Sequence, residues 1–159
     1  MTITRNDQRL ERGFDDTVLR AAGTIGLFGT ALIHFLDIFS KFSETPYLGV
    51  LYAVLITVCV GTALALVARG SRVVWSVAGI VAAATIVGYV LSRSTGLPSS
   101  TDDIGNWREP LGLASLFVEG GVVVLSGFAL AVMRPVRVRS RSRRAQQLPM
   151  ERRVGALNG

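Results

Sequence analysis

The sequence predicts an all-α fold, a bundle of four transmembrane helices with both termini on the cytoplasmic side. Three observations carry that expectation. Half of the 159 residues are hydrophobic and 18% are charged, with a mean hydropathy of +0.46, values that exclude a disordered chain and are foreign to an ordinary soluble domain. The charges are also unevenly placed: none lies between Arg20 and Asp37, Glu44 and Arg69, or Arg72 and Arg93, and Glu119 alone interrupts the run from Glu109 to Arg134. Finally, the net charge of +6 comes from arginines gathered outside these windows, which points to a membrane surface before nucleic acid.

A bilayer core of about 30 Å needs about 20 helical residues rising about 1.5 Å each, because the backbone must satisfy its own polar groups in lipid. The windows place spans at about 18–40, 47–68, 73–92 and 111–133, after an N-terminal segment 1–17 and before a basic tail 134–159 expected to be disordered. In the first span, arginines ahead of an apolar core imitate a secretory signal. The core is long, however, and the KFSETPY stretch after it has no small-x-small cleavage site, so it reads as an uncleaved anchor. Tyr47 opens the second span, and the Arg69/Arg72 turn separates it from the third. Pro110 sits where the fourth helix can start.

Small residues mark expected packing seams: Gly23, Gly26 and Gly29 in the first span, Gly61 with Ala65 in the second, and Gly79 with Ala83 and Ala84 with Gly88 in the third. Such seams serve contacts within one chain or between copies equally well, so a homo-oligomer stays open. Orientation comes from the arginines. Of 16, 14 lie in the N-terminal segment, the Arg69/Arg72 turn and the tail, while Lys41, Glu44, Asp102, Asp103 and Glu109 fall in the other two loops. This bias predicts cytoplasmic termini.

Several chemistries are excluded. Cys59 is the single cysteine and His34 the single histidine, so one chain has neither a disulfide nor two histidines to ligate a haem. There is no His-x-x-x-His or Cys-x-x-Cys pair, no phosphate-cradling glycine loop and no nucleophile elbow. No enzyme activity, catalytic residue, cofactor or metal is expected.

The informative residues are those that are costly to place in lipid. His34 and Asp37 share a face of the first span, and Glu119 interrupts the fourth at a matching depth. With Tyr52, Tyr89 and Arg93 they form a candidate polar cluster opening outward, in which Asp37 and Arg93 are expected as an ion pair and His34 and Glu119 as a hydrogen-bonded pair. Two readings stay open: the groups satisfy one another and lock the helices, or they form a proton, metal or small-ligand site. One histidine and two carboxylates are a sparse metal set.

The longest connection, 92–112, is rich in turn formers such as Gly96 and Pro98 and reads as a solvated hairpin. A sharper reading makes it a cap over the cluster, or makes 93–110 a docking surface for a protein partner, with Asp102, Asp103 and Glu109 outward. Here the phrase S-R-[ST]-x-G-L-P at Ser92–Pro98, followed by E-P-[LV]-G at Glu109–Gly112 and a Glu in the next helix, resembles a group of uncharacterised four-span membrane proteins of actinobacteria. The resemblance covers the last two spans and their loop. It implies the fold and a multi-pass place in a bacterial plasma (inner) membrane, and lends no catalytic residues.

In the tail, Arg134, Arg137, Arg139, Arg141, Arg143 and Arg144 are expected to contact anionic lipid headgroups, each contributing about 1 kcal/mol near a charged leaflet. No aromatic residue interleaves with them to stack on bases, so no nucleic-acid binding is expected. The leading reading is therefore a small non-enzymatic membrane protein acting as an accessory or interaction subunit. The alternative is a small transporter or ligand-, metal- or proton-handling protein built on the polar cluster.

Overall fold

The structure, a computed structural model, describes residues 5–133, with side chains from residue 15 onward. Its elements are four helices: α1 Arg5–Glu44, α2 Pro46–Ala68, α3 Arg72–Ser94 and α4 Pro110–Val132. Each is long and apolar enough to cross a membrane. The 23 residues of α2, α3 and α4 reach about 34 Å, enough for the hydrocarbon core. The expected all-α fold and its four spans are thus borne out. The 40-residue α1 differs in one respect: the helix continues through the charged residues ahead of its apolar span, because neither proline nor glycine stops it before Gly13. The tail arginines 134–144 lie outside the described residues.

The helix ends follow from local chemistry. Pro46 and Pro110 occupy first-turn positions, where a missing N–H costs nothing. Ser71 caps α3 by accepting from the Val74 N–H at 3.4 Å. Gly96, at φ +78°, ends α3 by donating to the Leu91 carbonyl at 2.9 Å, a left-handed stop that a side chain would strain. Beyond it, Leu97 and Ser100 exchange two 2.9 Å backbone bonds around Pro98 and Ser99, a tight turn with Ser99 at φ 58°.

The chain runs up and down. At one end, Arg72 donates to the Met133 carbonyl at 2.7 Å and Arg20 packs beside Gly70, joining the start of α3, the end of α4 and the α1–α2 pair. At the other end, Tyr47 donates to the Pro98 carbonyl at 2.7 Å and Thr45 to the Ser99 carbonyl at 3.5 Å, so the 95–109 loop is tied to the α1–α2 corner. Contacts are dense between α1 and α2, α3 and α4, and α1 and α4, and sparse between α2 and α3.

The interior is rich in alanine, threonine and serine, while many large apolar side chains lie on the surface. Ala63, Ala78 and Ala129 are fully buried, whereas Phe117 is 84% exposed. This inversion suits a helix surrounded by lipid, where no hydrophobic force pulls large side chains inward and close backbone approach drives association. Among the described residues Trp75 is the largest fully buried side chain, joined by Leu27, Leu66 and Val122 in a core drawn from all four helices. Gly23 makes room for it: a Cβ there would lie 2.6 Å from the indole Cη2. Gly26 likewise admits Val122, whose Cγ2 would lie 2.6 Å from an added Cβ. The first expected seam is therefore real. Gly61 and Gly88 are different, since a Cβ on either meets no atom within 4 Å; those two expected seam positions do not pack within the bundle.

Candidate functional site

At the loop end all four helices and the loop line a cavity of about 500 Å³. It lies where α2 and α3, which pack against each other sparsely, face one another. Leu51, Val54 and Leu55 of α2 face Val81, Thr85 and Gly88 of α3 across it, and the loop closes the top with Leu97 and Pro98. Leu51 and Val54 are each 55% exposed on the bundle exterior while lining the cavity. The cavity therefore also opens sideways, between α2 and α3, toward lipid.

The outer polar layer is built by Arg93. This side chain is 6% exposed at the last turn of α3, where a helix dipole favours a cation. Its Nη1 lies 2.8 Å from Asp103 Oδ2 and its Nη2 pairs with Glu109, and its guanidinium stacks over Tyr89 at 5.1 Å. These partners correct two expectations. Arg93 does not pair with Asp37, and Asp103 and Glu109 point inward rather than outward. An arginine buried at a helix end needs a counter-charge, and the loop supplies two. Glu109 consequently heads α4 without capping it. Tyr89 also holds the loop, donating to the Trp107 carbonyl at 3.2 Å. Lys41 joins the layer, 2.8 Å from Glu44 and 3.6 Å from Asp103.

The inner layer lies about 15 Å below the end of α1, at about 1.5 Å per residue. Glu119 is fully buried, and its Oε1 accepts from Ser115 Oγ at 2.6 Å while Oε2 has no hydrogen-bond partner. His34 Nδ1 lies 2.9 Å from the Thr30 carbonyl, which can only accept, so Nδ1 carries a proton. Nε2 then faces Glu119 Oε1 at 4.0 Å. The two residues are neighbours, as the matched depths predict, but they are not hydrogen-bonded. Each is instead bonded to its own helix one turn back, His34 through Nδ1 to Thr30 and Glu119 through Oε1 to Ser115. Tyr52 completes the layer with its ring edge-on to His34, centroids 4.8 Å apart.

Asp37 stands between the layers, half-buried on the cavity wall. It has no ion pair within 4 Å and no hydrogen bond among the described residues. Lys41, one turn on, is held by Glu44 and Asp103 instead. The structure thus brings His34, Asp37, Tyr52, Tyr89 and Arg93 to one cavity and sets Glu119 behind its wall at Ser115. Sequence reasoning missed Ser115, Lys41 and Thr30. Ser115 had a signal, since a Ser four residues before a Glu on one helix lies on the same face. Among the described residues no group of three or more His, Cys, Asp or Glu could hold a metal ion. No family model, no curated protein and no solved structure matches the chain.

Proposed function

We propose that the protein handles a small ligand within the bilayer, accepting it through the α2–α3 opening and holding it under the loop. The observation that carries this reading is the 500 Å³ cavity, apolar below and charged above, open to lipid and closed by a tethered loop. Ligand sites of this kind are concave, mostly apolar and equipped with a few convergent polar groups. A chain whose polar residues served helix locking alone would have Asp37 paired and the space filled. The arginine distribution supports cytoplasmic termini in a bacterial plasma membrane, with the loop outside and the tail arginines on anionic lipid. The resemblance at Ser92–Pro98 and Glu109–Gly112 supports an actinobacterial source. An accessory-subunit role is favoured by Ile104 and Trp107, 48% and 45% exposed on the loop, where a protein partner could dock.

The reading is tested by photolabelling the reconstituted protein with a neutral apolar diazirine, adamantyl diazirine, and locating the adducts by mass spectrometry. Adducts are expected on Leu55 and Val81 and should disappear in Gly88→Leu, which introduces a side chain where a Cβ meets nothing within 4 Å. Adducts confined to outward residues such as Phe117 and Val124, unchanged by Gly88→Leu, would overturn the proposal.

A further inference from the structure

The charges lining the cavity do not cancel. Its wall carries three carboxylates, Asp37, Asp103 and Glu109, and two cations, Lys41 and Arg93. Arg93 binds both Asp103 and Glu109, and Lys41 binds Asp103 together with Glu44. Every cation is therefore occupied by loop or helix-end carboxylates, and Asp37 is the lining carboxylate left without an ion pair. It sits on a lining that includes Tyr52, an aromatic ring of the kind that attracts cations; the ring of Tyr89 already carries Arg93.

An unpaired carboxylate at the edge of the hydrocarbon is costly, and the groups around it relieve it only in part: Lys41, one turn on, attracts it from beyond ion-pair distance and is bound to Glu44 and Asp103. On α1, His34 is turned toward Thr30 and Glu119; on α2, Tyr52 faces His34; on α3, Arg93 is turned to the loop. The missing complement is a positive charge arriving from outside the chain. A small hydrated metal ion does not fit this role, since the neighbouring walls are apolar and offer no second carboxylate free to ligate. An organic cation does: its charge meets Asp37 and the Tyr52 ring, and its apolar part fills the space bounded by Leu51, Leu55 and Val81.

We infer that the cavity is a site for a lipophilic organic monocation, with Asp37 as its counter-ion. This deepens the proposed ligand-handling role and rests on it. Entry from lipid suits such a molecule, because amphiphilic cations partition into the bilayer and reach the α2–α3 opening from there.

The test uses two ions of the same shape and opposite charge, tetraphenylphosphonium and tetraphenylborate. Binding to the full chain in nanodiscs is measured by equilibrium dialysis with empty nanodiscs as the blank. The phosphonium should bind saturably, the borate should not, Asp37→Asn should weaken phosphonium binding at least tenfold, and Asp37→Glu should restore most of it. The two ions compared on the native chain decide the matter even if Asp37→Asn does not assemble. Equal saturable binding of both ions, or binding of the borate alone, would overturn the charge assignment and leave the ligand cavity standing. Saturable binding of neither, together with labelling confined to the lipid-facing surface, would remove the cavity reading as well.

Discussion

His34 Nε2 faces Glu119 Oε1 across 4.0 Å in the middle of the bundle, with Ser115 Oγ bound to the same oxygen at 2.6 Å. The carboxyl is fully buried and has one oxygen satisfied by Ser115 alone. Ser115→Ala should therefore destabilise the bundle by about 1–3 kcal/mol, the cost of stranding a buried polar group. Glu119→Gln, which keeps size and the Ser115 acceptor without a charge to bury, should leave stability unchanged or raise it. In the Glu119→Leu background the Ser115→Ala cost should shrink below about 1 kcal/mol, because the partner is gone. Reversible unfolding in mixed micelles gives all three values. An equal Ser115→Ala cost in both backgrounds would show that the hydroxyl does not act through Glu119.

Arg93 organises the loop by holding Asp103 and Glu109 at once while its backbone carbonyl accepts from the Gly105 N–H at 2.9 Å. Arg93→Gln removes the shared cation from two carboxylates and should cost about 3 kcal/mol, at the lower end of breaking a buried pair because both carboxylates are partly exposed. Arg93→Lys should not rescue it, since one ammonium lacks the fork that reaches both partners. Hydrogen exchange is the readout: amides of Ile104 and Gly105 should lose protection in both variants while those of α1 and α2 keep theirs. Retained loop protection in Arg93→Gln would show that the tyrosine tethers suffice.

What was legible in the sequence and what was not divides along a physical line. The four spans are a property of charge-free runs and helix-starting prolines at 46 and 110, so they can be read residue by residue. The shared depth of His34 and Glu119 follows from counting along two antiparallel helices. Their separation does not, because it depends on rotamers chosen by Thr30 and Ser115. The partners of Arg93 were misassigned because a turn-rich loop normally faces water, whereas a buried guanidinium can draw a loop back over itself. The cavity was invisible: it lies between sparsely packed α2 and α3, and a void leaves no residue to read.

The glycines separate close packing from open surface. Gly26→Ala would put a Cβ 2.6 Å from Val122 Cγ2 and should cost about 1–3 kcal/mol through overpacking. Gly61→Ala meets no atom within 4 Å in the chain and, through helix propensity, should stabilise by about 0.5–1 kcal/mol. Thermal unfolding of the two variants in the same detergent measures the difference. A destabilised Gly61→Ala that also changes its apparent mass would place a second copy against that face.

The threading can be read with a membrane-impermeant maleimide, because the native thiol of Cys59 is fully buried and should stay silent. Asp102 and Arg69 are exposed at opposite ends of the bundle. In intact bacterial cells Asp102→Cys should label at once, and Arg69→Cys only after permeabilisation. Arg69 lies in the short turn between α2 and α3, where the positive-inside bias is counted over a few residues and is strongest. The reverse pattern would put the loop and its cavity on the cytoplasmic side. The ligand would then be drawn from the inner leaflet, whose anionic lipids concentrate organic cations near the α2–α3 opening.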